Sequence, residues 1–199
     1  MIYISHRKNT IKELRNVDFD HGVEIDIRSN GNKLILHHDP FKCGVPLDEW
    51  LCHYKHKLLV LNIKEEGLER GVEKLLKSKN INNYFFLDQS FPFLIKFVKS
   101  GNKKTALRFS EYESIETILS LSGKVEWVWL DSFEYFSLDH NKYNMLKNNS
   151  FKLCLVSPEL QGRLEDRYIE DLSDYLLTNG IVLDAICTKK IEKWKELNA

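Results

Sequence analysis

Histidines and carboxylates gather at the ends of short apolar runs early in the chain: Ile4-Ser5-His6-Arg7, then Gly22-Val23-Glu24-Ile25-Asp26-Ile27, then Leu36-His37-His38-Asp39-Pro40. Histidine has an unperturbed pKa of about 6.5, so it can give or take a proton near neutrality. Glutamate and aspartate oxygens are hard donors suited to Mg2+ or Ca2+. Phosphodiester cleavage requires a base for the attacking oxygen, an acid for the departing one and positive charge beside the phosphoryl oxygens. His6 and His38 offer the first two, and a divalent cation on Glu24 and Asp26 offers the third.

Side chains alternate across a strand, so residues two apart share a face. In the run from Val23 to Arg28, Val23, Ile25 and Ile27 form an apolar face and Glu24, Asp26 and Arg28 form the other. Two carboxylates side by side on a largely apolar strand repel and are poorly solvated unless a cation joins them. A wet acidic face on an edge strand is the plainer alternative.

Positioning such a site falls to a regular alternation of elements. Runs rich in Val, Ile, Leu, Phe, Tyr and Trp predict strands at about 1–6, 22–28, 58–64, 84–90, 104–110, 126–132, 151–157 and 185–189. Amphipathic segments lie between them: Pro46 to Leu51, the stretch from Ser110 through Glu113 into Ile115, Ile118 and Leu119, Leu138 to Lys147, and Leu164 to Leu177 before Asn179-Gly180. Eight strands alternating with helices predict an α/β fold, a single compact (β/α)8 TIM barrel. Such barrels place their sites at the carboxyl ends of the strands. Asn62-Ile63-Lys64 would then join His6, Glu24 and Asp26 at one mouth, with Ser90, Arg108, Asp131, Ser157, Glu159, Thr188 and Lys189 closing later strands.

Composition bounds the remaining choices. The chain has 199 residues without a Pro-, Gly- or Ser-rich linker, which predicts one domain over 1–199. Lys plus Arg and Asp plus Glu number 29 each, so broad electrostatic capture of nucleic acid is not expected. A strand-like amino terminus and the lack of a long apolar run predict no signal peptide, no stable membrane insertion and a cytoplasmic location. Cys43, Cys52, Cys154 and Cys187 are scattered, predicting reduced and mostly buried thiols. His53 and His56 lie three apart on an expected helix, more simply read as a solvated face than as a metal pair. Glycine-rich dinucleotide and P-loop motifs and the Gly-x-Ser-x-Gly elbow are missing, so those chemistries have no anchor.

His6-Arg7, the Gly-x-Glu-x-Asp of residues 22–26, His38-Asp39 and Asn62-Ile63-Lys64 together resemble the ordered motifs of the glycerophosphodiester phosphodiesterase family, within the phosphatidylinositol-phospholipase-C-like superfamily. Gln89-Ser90-Phe91, the run from Val156 to Leu160 and Cys187-Thr188-Lys189 add to the resemblance. It implies a phosphoric diester hydrolase acting on a small glycerophosphodiester or related polyol phosphodiester. His6 and His38 would be general acid and base, and Mg2+ or Ca2+ would sit on Glu24, Asp26 and the position of Asn62. Arg7, Lys64, Arg108, Asp131 and Glu159 would face phosphate or substrate.

The chain departs from the family in three ways. The segment after the first histidine is compressed to Arg7-Lys8-Asn9-Thr10, and the small inserted domain after the His-Asp pair is missing. Position 62 carries an amide where the family places a third acid, which weakens cation binding unless Glu66 compensates. These departures keep two alternatives open: a phosphate-binding barrel without turnover, and a lyase-type reaction that releases a cyclic phosphate.

Overall fold

In the computed structural model, residues 1–197 are described; residues 198 and 199 of the expected 1–199 domain lie outside them. The backbone groups into two compact units, one of Ile2 and Ile4–Thr105, the other of Met1, Tyr3 and the chain from Ala106 onward.

The first unit contains strands β1 (Ile2–Ser5), β2 (Gly22–Asn30), β3 (Lys33–Leu36), β4 (Val45–Pro46), β5 (Leu58–Ile63) and β6 (Tyr84–Leu87). Its helices are α1 (Ile11–Arg15), α2 (Leu47–Leu51), α3 (Glu69–Ser78) and α4 (Phe91–Lys99). Strands β1, β2, β5 and β6 pair in parallel in that order, with Ile4 beside Gly22, Asp26 beside Asn62 and Asn62 beside Leu87. Gly22 is required where β2 is squeezed between its neighbours: a Cβ there would lie 2.9 Å from Ile4 Cγ1 and 3.1 Å from the Leu58 carbonyl oxygen.

Beyond its parallel stretch β2 continues into an antiparallel hairpin with β3, which in turn pairs with β4. Asn30-Gly31-Asn32 makes the turn, with Gly31 at φ 59°. The eight expected strands are all present, seven with trimmed ends and β2 running two residues beyond the expected 28, and this hairpin adds β3 and β4, giving ten among the described residues. The chain passes from His38 to Val45 in a short loop, as expected for a chain without the inserted domain.

Both faces of β2 are buried. Val23, Ile25 and Ile27 pack with Leu59, Leu61 and Ile63 against Leu14, Trp50, Val72, Leu76 and Phe97 of the helices. This is the stabilising face, and each such side chain withdrawn from water contributes about 1.5–3 kcal/mol. Glu24 and Asp26 occupy the opposite face, at 1% and 0% exposure.

The second unit repeats the pattern with β7 (Ala106–Phe109), α5 (Ile115–Leu119), β8 (Trp127–Leu130), α6 (His140–Asn148), β9 (Lys152–Val156), a 3-10 turn at Pro158–Gln161, α7 (Arg167–Thr178), β10 (Ala185–Thr188) and α8 (Ile191–Leu197). These strands are parallel and run in order β7, β8, β9, β10. Trp194 of α8 is fully buried and donates from Nε1 to Ser157 Oγ at 2.7 Å. No helix among the described residues is long and apolar enough to cross a membrane.

All four cysteines are free thiols; Cys154 and Cys187 are buried, whereas Cys43 and Cys52 are exposed. The expected solvated helix face at His53 and His56 does not form, because α2 ends at Leu51. His56 is instead buried between Phe19 and Tyr54, its Nε2 3.1 Å from the Val17 carbonyl oxygen.

Candidate active site

The site is built where the chain leaves β1. The compressed segment after His6 is tied to β2 at three points: Arg7 N–H donates to Glu24 Oε2 at 2.7 Å, Lys8 N–H to the Glu24 carbonyl at 2.9 Å, and Asp26 N–H to Asn9 Oδ1 at 2.9 Å. Asn9 returns a bond from Nδ2 to Asp26 Oδ2 at 2.8 Å. Thr10 and Glu13 then form a capping box that starts α1. Trp50 Nε1 holds the Lys8 carbonyl at 3.0 Å from the helix side. These bonds fasten the loop to β2, and it carries His6 and Arg7 to the buried acids.

His6 Nε2 lies 3.8 Å from Glu24 Oε2, and Asn62 Nδ2 donates to Glu24 Oε1 at 3.1 Å. Arg7 Nε is 3.3 Å from Asp26 Oδ2, and Lys64 Nζ is 3.4 Å from Asp26 Oδ1. His6, Arg7, Glu24, Asp26, Asn62 and Lys64 thus form one cluster. Burial and the neighbouring Asp26 push the Glu24 carboxyl up to about 7, against the opposing pull of the Arg7 N–H, the Asn62 amide and Lys64.

His38 follows β3 on a different support. Its Nδ1 is 2.8 Å from Asp39 Oδ1, and that hydrogen bond holds the Asp39 carboxyl below its usual range. With Nδ1–H donating to Asp39, Nε2 presents its lone pair. His37 is fixed beside it by the Asp39 N–H, which donates to His37 Nδ1 at 2.9 Å. Arg28, on the Glu24 and Asp26 face of β2, donates from Nε to the His38 carbonyl at 3.0 Å and from Nη1 to the Lys64 carbonyl at 3.3 Å. One side chain thus braces both the His38 loop and the end of β5. A cavity of about 640 Å3 opens among Arg7, Asn9, Thr10, His37, His38 and Asp39. That volume suits a small molecule.

The donor set offers a cation oxygen ligands. Asp26 Oδ1 and Asn62 Oδ1 are buried acceptors without a hydrogen bond, on residues paired across β2 and β5, and Glu24 is linked to Asn62. Asn62 brings no charge, and among the described residues no group of three or more His, Cys, Asp and Glu side chains is arranged as metal ligands. Glu66 does not fill the gap: it is exposed beyond β5, and its neighbour Glu65 is spent on Ser29 and Arg28.

The other three expected substrate residues belong to the second unit. Arg108 pairs with Asp131 and reaches Glu113 at 3.8 Å. Asp131 is buried and also accepts from Gln161 and from Ser132 N–H. Glu159 is buried and accepts from Ser157, from Thr188 Oγ1 at 2.6 Å and from Lys189 N–H at 2.9 Å.

Asn9 and Asp88 were not expected at the site. Asn9 sits in an unpatterned loop; Asp88 falls inside the expected 84–90 strand, but β6 stops at Leu87 and the Asp88 carboxylate comes 3.8 Å from Lys64 Nζ.

No protein-family model matches the chain, and no curated protein matches it in sequence. Solved structures do match. A glycerophosphoryl diester phosphodiesterase from Parabacteroides distasonis superposes with a TM-score of 0.68 at 10% identity, over 98% of this chain and 85% of that one. A glycerophosphodiester phosphodiesterase from Agrobacterium tumefaciens gives 0.67 at 10% identity, over 99% and 98%. A mutant tryptophan synthase alpha-subunit from Pyrococcus furiosus gives 0.50 at 15% identity, over 94% and 85%. The chain therefore has the α/β fold seen in glycerophosphodiester phosphodiesterases, the family its amino-terminal motifs resemble.

Proposed function

We propose that this chain is a phosphoric diester hydrolase acting on a glycerophosphodiester or related polyol phosphodiester. One observation carries the reading: His6, Arg7, Glu24, Asp26, Asn62 and Lys64, far apart in sequence, are brought into a single cluster around the buried Glu24, Asp26 and Asn62 in the first unit. Fold alone would not suffice, because a tryptophan synthase subunit shares it.

In this reading Glu24, Asp26 and Asn62 hold Mg2+ or Ca2+, which when bound supplies positive charge to the phosphoryl oxygens. Arg7 and Lys64 bind the phosphate from the protein side. His38, oriented by its Nδ1 bond to Asp39, takes the proton of the attacking hydroxyl at Nε2. His6, whose Nε2 lies 3.8 Å from Glu24 Oε2, gives a proton to the alkoxide as the P–O bond breaks. The attacking hydroxyl belongs to water, or first to the substrate's own polyol with a cyclic phosphate released.

The test is a panel of glycerophosphodiesters assayed with Mg2+ or Ca2+ and with chelator, with the first product read by phosphorus NMR. Turnover lost in both His6→Ala and His38→Ala is expected. Turnover that survives either substitution refutes the assigned proton transfers. Tight phosphate-ester binding without turnover would instead favour a binding protein, a reading prompted by the uncharged Asn62.

A further inference from the structure

Among the described residues, five other than glycine adopt positive φ: Arg7, Phe41, Asn80, Asp88 and Ser150. Asn80 and Ser150 follow α3 and α6, where a left-handed residue is routine. Arg7 at 50° and Asp88 at 58° instead follow strands β1 and β6, and both side chains reach the buried cluster. A left-handed backbone is unfavourable for a residue with a Cβ and persists where the surroundings enforce it. Lys64 Nζ lies between two carboxylates, Asp26 at 3.4 Å on the buried side and Asp88 at 3.8 Å, the latter 27% exposed. Asp88 is therefore a negative charge on the solvent side of a cation assigned to phosphate.

We propose that Asp88 is a specificity residue that sets the site's preference for phosphodiester monoanions over phosphomonoester dianions. The inference rests on the phosphodiesterase reading, and its logic is the charge change of the reaction. A diester carries one negative charge, whereas the monoester left after cleavage has a second pKa of about 6 and approaches two. A carboxylate beside Lys64 weakens binding in proportion to the ligand's charge, so it opposes the product more than the substrate. Screened close to bulk water at several ångströms, one such charge changes a monoanion's affinity about threefold. For a dianion the factor is squared, to about tenfold.

The probes are dimethyl phosphate and inorganic phosphate at pH 8, titrated calorimetrically with Mg2+ present into the wild type, Asp88→Asn and Asp88→Gly. Asn and Gly both accept the left-handed backbone, so folding is preserved while the charge is removed. The expected result is dimethyl phosphate tightened about threefold and phosphate about tenfold in both variants. Merely loosening Lys64 would weaken both probes together. An unchanged ratio of the two affinities overturns the assignment of Asp88 and leaves the phosphodiesterase reading intact. Failure of both probes to bind the wild type removes the phosphate site itself, and the role of Asp88 with it.

Discussion

Asn9→Ala tests whether the compressed loop is held to β2 in the way that positions His6 and Arg7. The wild-type side chain makes two bonds to a residue 17 positions away: Nδ2 to the Asp26 carboxylate at 2.8 Å, and Oδ1 from the Asp26 N–H at 2.9 Å. A hydrogen bond to a charged group contributes about 1.5–3 kcal/mol, and an amide left without a partner costs about 1–3 kcal/mol when buried. Asn9 is half-buried, so water can reach part of the gap, and the low ends of both ranges apply. Their sum is about 2.5 kcal/mol. Urea unfolding followed by tryptophan fluorescence measures it, with Trp50 reporting on the same loop through its bond to the Lys8 carbonyl. Thr10→Ala, which removes only the exposed cap of α1, is the control and should cost about 1 kcal/mol. Repeating Asn9→Ala in an Asp26→Asn background should lower the cost by about 1 kcal/mol, because the bond to position 26 is then between neutral groups. A cost below about 1 kcal/mol for Asn9→Ala, or no coupling to position 26, would show that the loop is held by something else.

Three further outcomes follow from the geometry. His56 is buried with Nε2–H on the Val17 carbonyl and Nδ1 without a partner, and burial, with His21 adding to it against Asp18, holds its pKa below 6.5. The unfolded chain therefore takes up the proton first, so stability is full above about pH 6.5 and falls as pH drops toward the folded pKa; His56→Gln should flatten the slope of unfolding free energy between pH 7 and 5, and an unchanged slope would exonerate this residue. Asn62→Asp restores a third carboxylate beside Glu24 and Asp26 and should tighten Mg2+ or Ca2+ at least about tenfold by calorimetry; equal affinity would show that position 62 is not a ligand. Gly44→Ala places a Cβ 2.2 Å from the Leu36 carbonyl oxygen, so the loop carrying His38 must shift. A loss of about 2 kcal/mol or more is expected from urea unfolding, and a neutral result would mean that the loop gives way freely.

What the amino-acid sequence reveals and conceals here follows the range of the interactions. The alternation in β2 is local, so the common face of Glu24, Asp26 and Arg28 can be read directly, and Asn62 falls beside Asp26 once β5 is placed. The two extra strands escaped because the pairing partner of Lys33–Leu36, the far end of β2, looks polar, and β4 is only two residues long. Asn9 escaped because a loop asparagine has no periodicity, and its value lies wholly in a partner 17 positions on. Asp88 was hidden inside an apolar run that seemed long enough to be one strand. His56 shows the converse error, since a charged-looking neighbourhood of Lys55 and Lys57 concealed a ring buried by Phe19 and Tyr54.

The charge balance around Asp26 explains how a site lacking the third acid can still be built. A fully buried carboxylate needs compensation, and Asp26 receives it from Arg7, Lys64 and the Asn9 amide. Glu24 is held by the Arg7 N–H, the Asn62 amide and His6, and burial together with the Asp26 charge pushes its carboxyl up to about 7 against these donors and Lys64. A third carboxylate at position 62 would add repulsion to a pair that is already undercompensated, whereas an amide donates to Glu24 and still turns an oxygen toward any cation that arrives. In the proposed reading, Asn62 would stabilise the cluster without metal at the expense of metal affinity. Asn62→Asp should therefore be less stable than the wild type in chelator and regain that loss when Mg2+ or Ca2+ is added; a variant equally stable in both conditions would break the link between the amide and the charge balance.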